Sequence, residues 1–200
     1  MTASRPVPTY RVEAGLSKHG RSRSGGVTLV ELLVLLTIVA IVQTLAAPAM
    51  SGFVDSMRLT AGINTLFSSV HIARSEAVKR SARVVLCKST TGNSCTSTGG
   101  WEQGWIVFHD TNNNASLDAG EIRLLWEQAL PHRLRLAGNS QVASYVSYTS
   151  VGTTGLTSGA FQAGTFTLCL QSSTPVEARQ IVISSSGRSR TTKAIVSQCP

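Results

Sequence analysis

The sequence lacks the short signatures that most often carry chemistry. No Cys-x-x-Cys spacing occurs among its four cysteines, which argues against a structural zinc site. No glycine-rich loop of the kind that cradles phosphate is present. No serine or cysteine sits in a nucleophile motif beside His71, His109 or His132, and lone histidines are usually structural. An enzyme is therefore not expected, and neither is a cofactor. No internal repeat is evident. Acidic residues are few, 10 against 18 Lys and Arg, and none follows Glu177. Charge is scarcest from Val27 to Ala47, where 21 residues carry Glu31 alone.

That apolar run, Val27-Thr-Leu-Val-Glu31 through Ala47-Pro48, is the most informative feature present. At about 1.5 Å per residue it makes enough helix to cross roughly 30 Å of hydrocarbon. An unpaired carboxylate is unfavourable in such a place, so a partner for Glu31 is required. Five basic residues precede the run (Arg5, Arg11, Lys18, Arg21 and Arg23) against Glu13, so half of the formal charge of +8 lies there. Positive charge on that side keeps it cytoplasmic and sends the rest of the chain across the membrane. Cys87, Cys95, Cys169 and Cys199 all follow the run, and an even number in an exported domain implies disulfides. Of the three possible pairings, Cys87–Cys95 and Cys169–Cys199 are expected, since hairpins would bring those segments together. A secretory signal peptide cut near Ala46-Ala47-Pro48-Ala49 conflicts with the Glu inside the apolar stretch. A plain membrane anchor remains an alternative.

Helical spacing continues beyond Pro48. Phe53, Met57, Ile63, Leu66, Phe67, Val70, Ala73 and Ala77 form one apolar stripe. One long helix is expected from about Val27 to about Ala82, bent at Pro48 and softened by Gly52 and Gly62. The period then changes to two, and strands are expected at 83–87, 105–108, 121–126, 133–136, 144–148, 164–169, 180–184 and 194–196. The glycine-rich stretch Gly152–Gly164 reads as a mobile loop. The fold class is α+β: a long kinked N-terminal transmembrane helix packed on an antiparallel β-sheet domain.

Gly25-Gly26, the uncharged step to Glu31 and the apolar run together resemble the N-termini of type IV pilins and type II secretion pseudopilins. The resemblance implies a leader 1–26 cut after Gly26 by a prepilin peptidase that also methylates the new N-terminus, Val27. The family most often has Phe at that position. It further implies that Glu31 pairs with the N-terminal amine of a neighbouring subunit, that Pro48 kinks the helix, and that the fold is the pilin fold. The segments would be 27–48 for membrane and filament packing, 49–82 as the amphipathic continuation, and 83–200 as a periplasmic or extracellular domain. The cysteine ending the first strand, Gly100-Trp-Glu-Gln-Gly-Trp105-Ile-Val-Phe108, an Asp/Asn-rich turn ending in Gly120-Glu121 and Ile181–Arg190 resemble the FimT/GspH group of minor pilins and minor pseudopilins. The partners implied are other pilins or pseudopilins, an inner-membrane assembly platform and, before assembly, the inner-membrane lipid bilayer. A pilus or pseudopilus is the implied destination.

Gly187-Arg188-Ser189-Arg190 is the sharpest candidate site. Arg188 and Arg190 alternate and, if extended, share a side; Gly187 permits a tight turn. With Lys193 and nearby hydroxyls they suit phosphate contacts. In FimT-type minor pilins such a Gly-Arg-x-Arg element is implicated in binding double-stranded DNA in natural transformation. The alternative is a solvated hairpin tip. Arg74, Lys79, Arg80, Arg83 and Lys88 form a second basic cluster, read first as helix-end charge and second as further DNA surface. Asp110, Asn112, Asn114, Ser116, Asp118 and Glu121 fall in an EF-hand-like calcium frame, but Ala115 stands where glycine is needed, so an Asn-rich hairpin turn is expected and no metal. Trp101, Trp105 and Trp126 read as core and sheet aromatics.

Overall fold

The structure, a computed structural model, describes residues 26–171 and 175–200, with side chains at 45–49 excepted. Residues 1–25, which hold all of the expected leader but Gly26, lie outside the described residues. Helix α1 spans Leu29–Arg80. Thr28 opens it: its carbonyl accepts from Leu32 N (3.1 Å) and its hydroxyl from Glu31 N (3.2 Å). Thr28 and Glu31 thus occupy the first and fourth positions of a capping box, with the carboxylate in the turn where the helix dipole favours it. At the far end Ser81 turns left-handed (φ 51°). Ser81 N then bonds Val78 O and Ala82 N bonds Ala77 O, both at 3.2 Å, the paired bonds of a Schellman stop.

The helix runs through two units, one ending at Ala46 and one spanning Ala47–Pro200. In the first, every large apolar side chain described from Val27 to Val42 is exposed. Among the described residues no helix is long and apolar enough to cross a membrane. The side chains at 45–49, which complete the apolar run, are not described, and the expected bend at Pro48 falls among them.

In the second unit the strands are β1 (Val84–Lys88), β2 (Trp105–His109), β3 (Arg123–Glu127), β4 (Leu134–Gly138), β5 (Tyr145–Tyr148), β6 (Gly164–Leu170), β7 (Val176–Ile183) and β8 (Ser189–Val196). All eight expected strands are present. They form two antiparallel sheets, ordered β3-β2-β1-β5 and β4-β6-β7-β8, where the sequence pattern did not separate one sheet from two. Leu59, Ile63, Leu66, Val70, Ala73 and Ala77 of α1 pack with Val84, Leu86, Val107, Val146 and Tyr148 of the first sheet and Leu136, Phe166, Leu168, Ile181 and Ile183 of the second. The alternate residues Val85, Cys87, Ile106 and Phe108 form a separate cluster on the first sheet's other side.

Three expectations need correction. Phe53 and Met57 belong to the helical stripe but are 62 % and 56 % exposed, and burial begins only at Leu59. Gly62 is buried against Leu168, so it allows helix and sheet to approach and is not a point of softening. The segment 152–164 is a loop, but buried polar side chains hold it. Gln162 accepts from Ser147 N and donates to Gln141 O and Tyr145 O at 2.8–2.9 Å. Both disulfides form as expected, Cys87–Cys95 and Cys169–Cys199.

Candidate nucleic-acid interface

Strands β7 and β8 are joined by a tight turn. Gly187 N donates to Ser184 O (2.8 Å) and Ser184 N to Arg188 O (3.0 Å). Gly187 has φ +75°, and a Cβ there would overlap the carbonyl oxygen of Gly152 and approach the Tyr148 ring. Only glycine meets both conditions at once, which is the physical content of the first letter of Gly-Arg-x-Arg.

The turn rests on a floor built by three separate segments. Arg74 on α1 donates from Nε to Gly152 O (3.0 Å) and from Nη2 to Ser186 O (3.4 Å). Thr154, 1 % exposed, donates its backbone N–H to Ser185 O (3.2 Å) and its hydroxyl to Gln162 O (2.5 Å), with Ser184 O 3.1 Å from the same oxygen. Tyr148 lies beneath with its hydroxyl buried and, among the described residues, unpartnered. Burial pushes the ionisation of that hydroxyl far up, opposed weakly by the Arg74 charge.

Arg188 and Arg190 are exposed, and among the described residues their side chains make no hydrogen bond or ion pair. Arg190 is paired across the sheet with Val182, Ser189 with Ile183 and Lys193 with Arg179. Cross-strand partners share a side and neighbours alternate. Ile183 and Ile181 face the core, and Ser189 reaches His71 of α1 (Oγ to Nε2, 3.2 Å), so Ser189, Thr191 and Lys193 take the helix side. Arg188 and Arg190 therefore share the outer side, as the alternation implied. Lys193 is turned to the opposite side, beside a buried Arg179 that pairs with Glu177 (2.6 Å) and donates to Ser56 (3.1 Å). Gly187, Arg188 and Arg190 are thus brought together, and Lys193 is not.

The second basic cluster is dispersed. Arg74 holds the turn. Arg83 donates to Ser147 Oγ (2.8 Å) and Gly155 O (3.4 Å). Lys88 is 4 % exposed and donates to Ser97 O (3.0 Å) and Gly99 O (2.8 Å). Burial lowers its pKa, with Glu102 opposing. Only Lys79 and Arg80 remain at the surface, both against Glu76. Lys88 and Arg83 hold loops in place, and nothing in one-dimensional spacing distinguishes such residues from a solvent-facing patch.

The loop 110–121 satisfies its own oxygens. Asp110 accepts from Asn114 N and Ala115 N, Asp118 from the amides of Asn112 and Asn114, and Glu121 from Thr111 N, Thr111 Oγ1 and Asp118 N. Ala115 takes the left-handed conformation (φ 59°) that the frame asks of glycine. Among the described residues no group of three or more His, Cys, Asp or Glu could hold a metal. Trp101 and Trp105 are fully buried, donating to Val142 O (3.1 Å) and Ser69 Oγ (3.0 Å). Trp126 is 42 % exposed and lies against Gly92, with the Arg123 guanidinium 5.6 Å from its ring centre.

Comparison with known proteins gives three results. The family model described as type II transport protein GspH matches residues 62–187, ending one residue before Arg188. The pilin-like protein PilA1 of Thermus thermophilus is 34 % identical over 96 residues, 48 % of this chain and 54 % of that protein. The chain thus spans about half the length of the curated relative it matches. Two crystal forms of the type IV minor pilin FimU of Pseudomonas aeruginosa share the fold. One has a TM-score of 0.53 at 19 % identity over 74 % of this chain and 99 % of FimU; the other has 0.52 at 20 % over 71 % and 100 %.

Proposed function

The chain belongs to the GspH family of type II transport proteins, and we propose that it works as a FimT-like minor pilin that joins a type IV pilus and holds double-stranded DNA during natural transformation. Its family and fold are those of pilin structural proteins, a minor type IV pilin or pseudopilin that associates with others of its kind in a pilus or pseudopilus. The observation that carries the DNA reading is the β7–β8 turn, which sets two unpaired arginines on one outer side of a sheet, in a C-terminal stretch without an acidic residue after Glu177. Guanidinium forks at that spacing suit successive phosphate oxygens without reading bases.

In this proposal a prepilin peptidase cuts after Gly26 and methylates Val27. Residues 27–48 then lie in the inner membrane with the globular domain on the periplasmic side, until an assembly platform extracts the subunit. Glu31 meets the N-terminal amine of a neighbour, because a carboxylate and an ammonium left apart in lipid are each costly. What supports this is the exposure of every large apolar side chain described from Val27 to Val42. Mass spectrometry of the native polypeptide tests it: a first residue other than Val27 overturns the cleavage.

DNA binding is tested by titrating double-stranded DNA against the full chain in detergent. Two arginine–phosphate contacts give a log–log salt slope of about −2. Arg188→Ala/Arg190→Ala should weaken binding by an order of magnitude or more and flatten that slope; unchanged binding at low salt overturns the reading. A second reading, a GspH-type minor pseudopilin of the type II secretion machine, is favoured by the description of the matched family and by a match that stops before the arginines. It would share leader, helix and fold and show no dependence on Arg188 or Arg190.

A further inference from the structure

The three carbonyls at the tip of the β7–β8 turn all point into the protein. Ser184 O accepts from Gly187 N and lies 3.1 Å from the buried Thr154 Oγ1, Ser185 O accepts from Thr154 N, and Ser186 O accepts from Arg74. A trans peptide plane sets its N–H opposite its C=O. The N–H groups of Ser185 and Ser186 are therefore aimed outward, and among the described residues neither makes a hydrogen bond. Both residues are exposed. The hydroxyls of Ser184 and Ser186 lie 2.9 Å apart at the same rim, and Arg188 follows directly.

We propose that this turn is a phosphate nest: the amides of Ser185 and Ser186, with the Arg188 guanidinium, hold one phosphodiester oxygen pair of the DNA backbone. Successive outward N–H groups in a turn make a concave anion site, and a guanidinium beside it supplies the charge. Arg74 and Thr154 then act as positioning residues. They touch no phosphate; they draw the carbonyls inward and so fix the direction of the amides. The site deepens the DNA reading and rests on it.

The test separates the two. Ser185 is the second residue of the β-turn that starts at Ser184, a place where proline is favoured, and its N–H is free. Ser185→Pro in the full chain in detergent should keep the turn and delete one donor. The expected result is binding to double-stranded DNA weakened about three- to ten-fold, with the salt slope unchanged, since no cation is lost. Arg74→Lys keeps the charge but loses the two-pronged donor, and should weaken binding by a similar factor with faster exchange of the Gly187 amide. In the unsubstituted chain, the Ser185 and Ser186 amide resonances should shift during the DNA titration. Full binding by folded Ser185→Pro, or unmoved Ser185 and Ser186 amides while Arg188→Ala/Arg190→Ala abolishes binding, overturns the nest alone. Indifference to the double arginine variant overturns the DNA reading beneath it. If Ser185→Pro fails to fold, the amide shifts decide.

Discussion

The carbonyl oxygen of Gly152 occupies the place where a Cβ on Gly187 would stand. Two left-handed glycines from separate loops are thus seated one on the other, and a side chain at position 187 would have to push the 149–154 loop away. Gly187→Ala should cost about 2 kcal/mol, from left-handed strain plus the displaced contact. Gly159 is the control: it is left-handed too (φ +86°), but a Cβ there meets nothing within 4 Å. Gly159→Ala should therefore cost about half as much. Denaturant midpoints of the two variants measure the difference, and DNA binding should fall only for the first.

Glu31 has one role in the structure and a second in the proposal, and the two are separable. Its backbone N–H bonds the Thr28 hydroxyl whatever its side chain carries. Glu31→Gln should therefore keep the helix start but prevent incorporation into filaments, because the neighbour's amine loses its counter-charge. Thr28→Val should do the reverse, loosening the first turn by about 1 kcal/mol while leaving assembly close to normal. Helical protection by hydrogen exchange and the amount of subunit in sheared filaments read the two effects apart.

The disulfides should differ in worth according to the loops they close. Cys169–Cys199 spans 30 residues and Cys87–Cys95 spans 8. Loop-closure entropy gives about 3.5 and about 2.5 kcal/mol. Paired Cys→Ser replacements, followed by thermal unfolding, should show the larger loss for the C-terminal bridge.

Acid should loosen the 110–121 loop before it unfolds the domain. Burial raises the Glu121 carboxyl, but donation from the amides of Asp118 and Thr111 and from the Thr111 hydroxyl outweighs it and leaves the pKa below the ordinary 4.5. A lowered carboxylate contributes stability that is present above its unfolded pKa and is lost as pH falls through the folded one. The Thr111 and Asp118 amide resonances should therefore hold steady from neutral pH down to 4.5 and move below it. Glu121→Gln should erase that acid transition.

Much of the fold was legible because its elements have clean periods. Alternation marked all eight strands, and the even numbers of Arg188 and Arg190 already placed them together, but charge grouped Lys193 with them although its odd number puts it on the other side. The stripe through Phe53 and Met57 misled, since helical spacing records that a residue is apolar and not whether a sheet reaches that far. Arg74, Arg83 and Lys88 resembled a surface patch because the carbonyls they satisfy belong to loops whose placement spacing alone does not show. For Lys88 those carbonyls follow a disulfide, and for Arg74 they lie 78 and 112 residues away. Thr154 and Gln162 left no signal: a buried hydroxyl or amide inside a Gly/Thr-rich loop is compositionally identical to an exposed one.

Strand β8 is the edge of its sheet, and the chain that follows it crosses β7 to reach β6 through Cys199 and Cys169. A load pulling on the β7–β8 turn would ordinarily strip an edge strand from its sheet like tape. Here the far end of the tape is riveted to the second strand in, so peeling stops at Cys199 and the tension passes into the body of the sheet. Reduction of that one bond should let the strand come away under lower force.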